Sequence, residues 1–512
     1  MPLSGVVEFV GREEELQNLH QLLQDNKQVA IAAIAGMGGV GKTELALQYA
    51  IKYRDTYNGG LCWLLPKTGD VGIQVVQFAR TQLDFNPPEN LTQDPKDKLL
   101  AQVQYCWRCW REGDVLLVLD DVAEYKEVKP YFQSLPSRFK VLITTREKLQ
   151  PPIERLDLDL LKPLVAMKLL KLLVGRERLQ RDPWIARRLC KHLGYLPLGL
   201  ELVGRYLSLD EDLSLPEILQ QLKDEGLTNE AVDEAPQEMT AKLGVAAAFE
   251  LSWRRLQENA QVLGCLLSLF ALAPIPWKLV EGNEAKEQKK AKRDLLKFYL
   301  LQRKGEEIYQ LHPLLREFFQ LKLKGLSQAE ELKRSLCEVM VAVAQDIPET
   351  PTLQQITDVT PTIPHIAEVA KKLIQYLSDD DLPWPFVGNA QFYNGQGLYN
   401  KAAPWLEQCL EIIKKRLGEE HPNVASILNN LALLYNSQGR YSEAEPLYIQ
   451  ALALYRKLLG EEHPDVAQSL NNLAQLYNSQ GRYSEAEPLN IQALTLYRKL
   501  LGEEHPDVAQ SL

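Results

Sequence analysis

A 42-residue unit recurs near the C-terminal end of this chain, and no other feature narrows the possible folds as far. Gly397, Gly439 and Gly481 are spaced 42 apart, and so are His421, His463 and His505, each followed by proline. Residues 418–459 and 460–501 differ at six of 42 positions, at 423, 426, 427, 433, 448 and 453 of the first copy. Identity at a fixed period specifies a solenoid, in which each unit buries its apolar face against its neighbours. Within one copy, Leu428, Leu431, Ala432 and Tyr435 fall at helical spacing, Gly439-Arg440 marks a turn, and Ala444, Tyr448 and Ala451 recur on a second helix. Ser442 with Glu445 three residues on has the capping-box spacing, which predicts the start of that helix. The run Gly460 to Pro464 is expected to end it, since proline cannot continue a helix. The histidines come singly, so they read as loop and capping residues rather than metal ligands.

This unit resembles the tetratricopeptide repeat in the longer form found in kinesin light chains. The resemblance implies an all-α solenoid that takes a protein or peptide ligand. Asn429-Asn430 and Asn471-Asn472 are candidates for a concave-face peptide contact, or for plain surface. A further copy starts at the end of the chain, where Val508 and Leu512 are expected to need cover from more residues or another chain. Residues 326–377 read as amphipathic helices with a break at 348–364, joining the solenoid to what precedes it.

The chemistry lies near the other end. Gly36-Met37-Gly38-Gly39-Val40-Gly41-Lys42-Thr43 fits G-x4-G-K-[ST]. Residues 28–34 read as a buried strand before it, and Glu44–Lys52 as a helix after it. Strand, glycine loop and helix are what phosphate binding needs: backbone N–H groups curl around the oxygens and the helix N-terminus adds its positive end. Lys42 would reach the β- and γ-phosphates, and the Thr43 hydroxyl would ligate Mg²⁺. The apolar run Val115–Leu119 ends in Asp120-Asp121, which suits a buried parallel strand with carboxylates at its C-terminal edge. Asp120 is the candidate Mg²⁺ partner, through water, and Asp121 the group that would orient or deprotonate an attacking water. A third strand, Lys140 to Thr145, leads to Arg146, placed to sense a γ-phosphate.

In this order the motifs resemble the NB-ARC domain of STAND signalling ATPases, shared by plant disease-resistance proteins and apoptotic-protease activators. Phe9-Val10-Gly11-Arg12-Glu13 is similar to the segment whose backbone contacts adenine in that family, and Glu44 follows the phosphate loop. Gly194 to Leu198 resembles the GLPL motif, implying that Pro197 lies against the nucleotide. Leu311-His312-Pro313 stands where the family has Met-His-Asp, implying that His312, from a winged helix, contacts the β-phosphate of ADP. Residues 246–256 and 270–274 are similar to the approach to that winged helix. The expected architecture is an α/β P-loop domain (1–155), a helical domain (156–230), a winged helix (240–325), a helical linker (326–385) and about three tetratricopeptide repeats (386–512). Two departures bear on function. Pro313 cannot act as the family's aspartate, and Asp121 is shorter than the glutamate of fast relatives, so a slow ATPase is expected.

Composition excludes several classes. At 512 residues the chain has room for three or four domains, and its net charge of −10 argues against non-specific binding to DNA. Seven scattered cysteines do not form a disulfide framework, so a reducing, cytoplasmic setting is expected. No leader is read at the N-terminus. The most apolar stretch, 263–280, is broken by Ser268, Pro274, Pro276 and Lys278, and reads as a buried helix rather than a membrane span. Cys106 and Cys109 form one C-x-x-C pair where zinc needs four ligands, so packing is the expectation. The basic run 286–293 reads as a solvated helix face.

Three functions compete. The first is an ADP/ATP switch that opens and self-associates when a ligand binds the repeats. The second is a repeat scaffold with nucleotide as a structural cofactor. The third is a transcription regulator acting through a winged helix, which would need a basic recognition helix that the sequence lacks. Eight residues precede Phe9, so an effector is expected as a separate protein, as assembly itself, or beyond residue 512.

Overall fold

The computed structural model describes residues 4, 8–24, 30–35, 38–88, 91–92, 94, 97–133, 135–147, 149, 153–225, 237–281 and 285–501, with backbone alone at 30–35, 225, 237–243, 285–286 and 501. Contacts divide the chain into two compact units: residues 1–88 with 99–332, and residues 89–98 with 333–512.

In the first unit, β1 (Ala30–Ala35), β2 (Gly60–Leu64), β3 (Val115–Val122), β4 (Phe139–Thr145) and β5 (Glu154–Asp157) form a parallel sheet in the order β2-β3-β4-β1-β5. All of β4 and all but one residue of β3 are buried, as strands covered by helices on both faces must be. The covering helices include α1 (Glu13–Gln24), α2 (Lys42–Lys52), α3 (Val71–Gln82) and α4 (Lys98–Cys109). Asp70 caps α3, accepting hydrogen bonds from the N–H groups of Gly72 at 2.8 Å and Ile73 at 3.4 Å. Trp107 of α4 and Trp110, just past its end, meet the Phe139 ring edge-on at 5.5 and 5.7 Å. Both indole N–H groups are used, on the carbonyls of Tyr131 and Gly59 at 2.9 and 3.1 Å. Cys106 is buried in this packing and Cys109 is exposed. No cluster of metal-ligating groups occurs among the described residues.

After the sheet come the helices Pro163–Val174, Arg176–Arg181, Pro183–His192, Pro197–Ser208 and Leu215–Glu225. A winged helix follows, with helices Glu258–Leu269, Ala285–Lys297 and Pro313–Leu323 and a small antiparallel sheet β6-β8-β7. Its strands are β6 (Ile275–Pro276), β7 (Gln302–Gly305) and β8 (Ile308–Gln310). The apolar stretch 263–280 is thus not one helix. Its first half is helical to Leu269, and its second half is the edge strand β6 and a short turn. Prolines 274 and 276 account for this, since proline ends a helix and is tolerated on a sheet edge. On Ala285–Lys297, Lys289 and Lys290 are exposed, while the Lys292 ammonium lies over Trp277 and Tyr309 at 4.2 and 4.9 Å and pairs with Glu307 at 2.9 Å.

The second unit is all helical. Helices Ala329–Gln345, Leu353–Val359 and Ile363–Lys372 precede three helix pairs: Trp384–Asn394 with Tyr399–Leu417, Pro422–Ser437 with Tyr441–Leu459, and Pro464–Ser479 with Tyr483–Leu501. The expected break at 348–364 contains a helix of its own, started by a capping box between Thr352 and Gln355. Repetition extends to the backbone. Gly397, Gly439 and Gly481 turn each pair at φ 65°, 72° and 74°, conformations that favour glycine.

Locally, one expectation about the repeats fails and another holds for a different reason. Helix Tyr441–Leu459 begins before Ser442, so no capping box forms there; Arg440 precedes it without a side-chain cap. The Arg440 guanidinium instead lies 4.0 Å over the Tyr435 ring and pairs with Glu443 at 2.6 Å, which draws the helix start forward. That helix does end at the run Gly460 to Pro464, though not through Pro464. Gly460, at φ 84°, ends it, and Pro464 opens the next one, where its missing N–H is not needed. His421 and His463 are N-caps, their Nδ1 atoms accepting from the N–H groups of Asn423 and Asp465 at 3.2 Å. Asn472 is buried and donates to Asn429 Oδ1 at 3.1 Å, so these two asparagines join successive repeats. His505, Val508 and Leu512 lie outside the described residues.

Candidate functional site

The phosphate loop leaves β1 and enters α2. Gly39 and Gly41 sit at φ 80° and 101°, where a Cβ is strained, and Gly41 is the N-cap of α2 without a side-chain cap. Gly36 lies outside the described residues. At Gly38 a Cβ would come within 3.3 Å of Arg146 Nη2, so the exposed Arg146 guanidinium reaches across from the end of β4. At Gly39 a Cβ would come within 3.2 Å of Leu198 and 3.4 Å of Leu196. The segment holding Pro197, first residue of its helix, therefore packs on the loop itself. Val40 is buried beneath it.

Asp120 and Asp121 end β3 in different environments. Asp120 is buried, and its Oδ1 accepts from the hydroxyls of Thr43 at 2.7 Å and Thr144 at 2.6 Å. Burial raises its pKa against those two hydrogen bonds. Thr144 also accepts the Asp121 N–H at 2.7 Å, and β3 slips register against β4 between Leu119 and Val122. Asp121 sits in this irregularity at φ 59°, its carboxylate paired with Lys67 at 2.5 Å. Thr43 and Asp120 thus present two hard oxygen donors at the loop mouth, the ligand chemistry of a small divalent cation.

Positive charge collects around these carboxylates. Lys42 is buried, and desolvation with the Arg146 charge lowers its pKa to about 8. His312 is the N-cap of helix Pro313–Leu323, its Nδ1 accepting the Leu314 N–H at 3.2 Å. Burial, Arg146 and Lys304 lower its pKa to about 4, so its ring is neutral at pH 7. Glu44 accepts from Gln48 at 2.8 Å and from Ser4 at 2.7 Å. Glu201, four residues past Pro197, is pushed up to about 7 by burial and the Glu44 charge, against Arg205.

The N-terminal segment is also held in place. Val10 is buried, and a Cβ on Gly11 would collide with Val165. Arg12 pairs with Glu15 at 2.7 Å and donates to the Asp159 carbonyl at 2.5 Å.

Residues 12–180 match the NB-ARC domain family, and 381–457, 424–499 and 465–512 match the tetratricopeptide repeat family. The chain carries an NB-ARC domain and C-terminal tetratricopeptide repeats. The NB-ARC match makes it nucleotide-binding. It is 24% identical over 257 residues to the regulatory protein AfsR of Streptomyces griseus, covering 49% of this chain and 26% of that protein. It is 30% identical over 149 residues to the probable disease resistance protein RF45 of Arabidopsis thaliana, covering 28% and 14%. The chain therefore spans about a quarter or less of these relatives' own length. Among solved structures, a STAND protein with a tetratricopeptide repeat sensor from Pyrococcus horikoshii aligns with 99% of this chain and 80% of its own, at 18% identity and a TM-score of 0.49. No helix among the described residues is long and apolar enough to cross a membrane.

Four residues of the candidate site were not legible in the sequence. Thr144 stands in the segment Lys140 to Thr145, whose pattern points to Arg146 alone. Lys67, Lys304 and Glu201 belong to no motif and no periodic pattern; chain folding alone brings them to the loop.

Proposed function

We propose that this chain is a nucleotide-controlled signalling switch of the STAND class, its repeats sensing a protein or peptide ligand. One observation carries the reading. Arg146 from the end of β4 and Leu196 and Leu198 from the helical segment pack on the phosphate loop that carries Lys42, and His312 from the winged helix lies within electrostatic reach of Lys42 and Arg146. A bound nucleotide would join all these segments. In this reading Val10, Gly11 and Arg12 hold the base, Gly36 to Glu44 hold the phosphates, and Pro197 and His312 close over them. Thr43 and, through water, Asp120 would hold Mg²⁺, which supplies charge neutralisation at the phosphates. ADP favours the closed form, and exchange for ATP favours opening and self-association. The domain limits follow the same reading: 1–155, 156–230, 240–325, a linker at 326–385, and repeats over 386–512.

Hydrolysis is slow in this account. The Asp121 carboxylate, which would activate water, is held by Lys67. That ion pair also favours the second reading, a repeat scaffold around a trapped nucleotide. By linkage, a repeat ligand opens the switch only as far as it binds the open form better; a shift from 1:99 to 99:1 needs about 5.5 kcal/mol of differential binding.

The experiment is to denature freshly purified protein and identify the released nucleotide by chromatography. Stoichiometric ADP from the wild type, absent from Lys42→Ala, is expected. Nucleotide retained in equal amount by Lys42→Ala would defeat the site assignment. ADP that never exchanges for ATP would leave the scaffold.

A further inference from the structure

Asp121 is the group that would take the proton of an attacking water, and it is fixed from three sides. Its N–H donates to the Thr144 hydroxyl at 2.7 Å. That hydroxyl donates in turn to Asp120 Oδ1 at 2.6 Å, where Thr43 also donates at 2.7 Å. One hydrogen-bond chain therefore ties the Asp121 backbone to the mouth of the phosphate loop. The backbone stands at φ 59° where β3 loses register with β4, and such an irregularity re-aims the side chain it carries. Here the side chain meets Lys67, whose ammonium lies 2.5 Å from Oδ2.

Lys67 is presented by a braced turn. It sits in Pro66–Thr68, just past the C-terminal end of β2. Gln74 of α3 clamps that turn, accepting the Leu65 N–H at 2.8 Å and donating to the carbonyls of Leu65 at 2.9 Å and Gly69 at 3.1 Å. The Thr68 hydroxyl donates to the Leu65 carbonyl at 2.8 Å. In the sheet, β2 flanks β3 on the side away from β4 and from β1, the strand that leads into the phosphate loop. Lys67 thus draws the carboxylate toward the far side of β3 from that loop and occupies one of its oxygens.

We propose that Lys67 is a positioning residue that brakes nucleotide hydrolysis by withholding Asp121. The proposal rests on the switch reading above and deepens it: this ion pair, rather than the short reach of an aspartate, sets how long the triphosphate state lasts. In the reaction a water oxygen bonds to the terminal phosphorus as the bond from that phosphorus to the bridging oxygen breaks. The electron pair leaves with the nucleoside diphosphate, and the water proton passes to the Asp121 carboxylate. Asp121 must leave Lys67 to receive it. The two side chains are 27% and 31% exposed, so water screens the pair and the brake is modest, about fivefold in rate.

The test uses the full chain with Mg-ATP, followed by single-turnover hydrolysis, and measures affinity separately with a fluorescent non-hydrolysable ATP analogue. Lys67→Met is expected to hydrolyse about fivefold faster than wild type, at an affinity unchanged within about twofold. Lys67→Arg keeps the pair and should keep the slow rate. In an Asp121→Asn background, Lys67→Met should give no gain, because the two residues act as one unit. A Lys67→Met rate equal to or below that of wild type would overturn the proposal, and so would a gain that survives Asp121→Asn. Wild-type protein that binds no nucleotide would instead overturn the site reading, and this proposal with it.

Discussion

His312 shows how environment sets a residue's role. Its imidazole caps a helix with Nδ1, while burial and the charges of Arg146, Lys304 and Lys42 disfavour its protonated form and Asp121 opposes them. Its folded pKa, about 4, lies below the ordinary 6.5. Between those values the unfolded chain binds a proton that the folded chain does not, so stability rises with pH through that window and is complete above it. The effect is at most about 3 kcal/mol. Glu201 slopes the other way: its folded pKa is raised from 4.5 to about 7, so its contribution falls as pH rises between them. Asparagine is also a good N-cap. His312→Asn should therefore fold normally and lose the His312 slope, while Glu201 cancels in the difference. Denaturant unfolding of both proteins from pH 4 to pH 7.5 checks this. Parallel profiles would mean that His312 is not held neutral by its site.

At the scale of elements, helix ends decide more than helix middles. His421 and His463 each satisfy an N–H that their helices leave open, and the following proline needs none. His421→Ala should destabilise helix Pro422–Ser437 by about 1 kcal/mol, and His421→Asn should restore it. Hydrogen exchange along that helix is the measurement; equal exchange in Ala and Asn variants would remove the cap from the account. The sequence period was legible here because each unit is a local helix pair. Its finer boundaries were not. Ser442 has the right spacing for a cap, but the Arg440 contacts with Tyr435 and Glu443 outweigh it. Likewise the apolar content of 263–280 pointed to a helix, and two prolines turned half of it into a sheet edge.

For the whole molecule, the first unit carries the nucleotide site and the second carries the repeats. ADP at 100 times its dissociation constant should stabilise the first unit by about 2.7 kcal/mol. The switch reading adds that a non-hydrolysable ATP analogue raises the mass of the particle in solution, whereas ADP leaves it unchanged. Light scattering after gel filtration decides this. Identical masses with both nucleotides would leave a nucleotide-stabilised scaffold. The net acidity of the chain gives no support to a DNA-binding output.

The phosphate loop, the two aspartates at the end of a buried strand and the 42-residue solenoid could all be read without a structure. Each is a contiguous pattern whose spacing is dictated by backbone geometry: glycines where φ must be positive, apolar runs where a strand is covered twice, one period per helix pair. The charges around the loop could not be read in this way. Lys67, Thr144, Glu201 and Lys304 act on it from four separate segments, Lys67 and Thr144 through direct contact and Glu201 and Lys304 through burial and charge. Desolvation and Coulomb forces act through space, so only the packed chain decides which side chains share a low-dielectric site and how each is charged there.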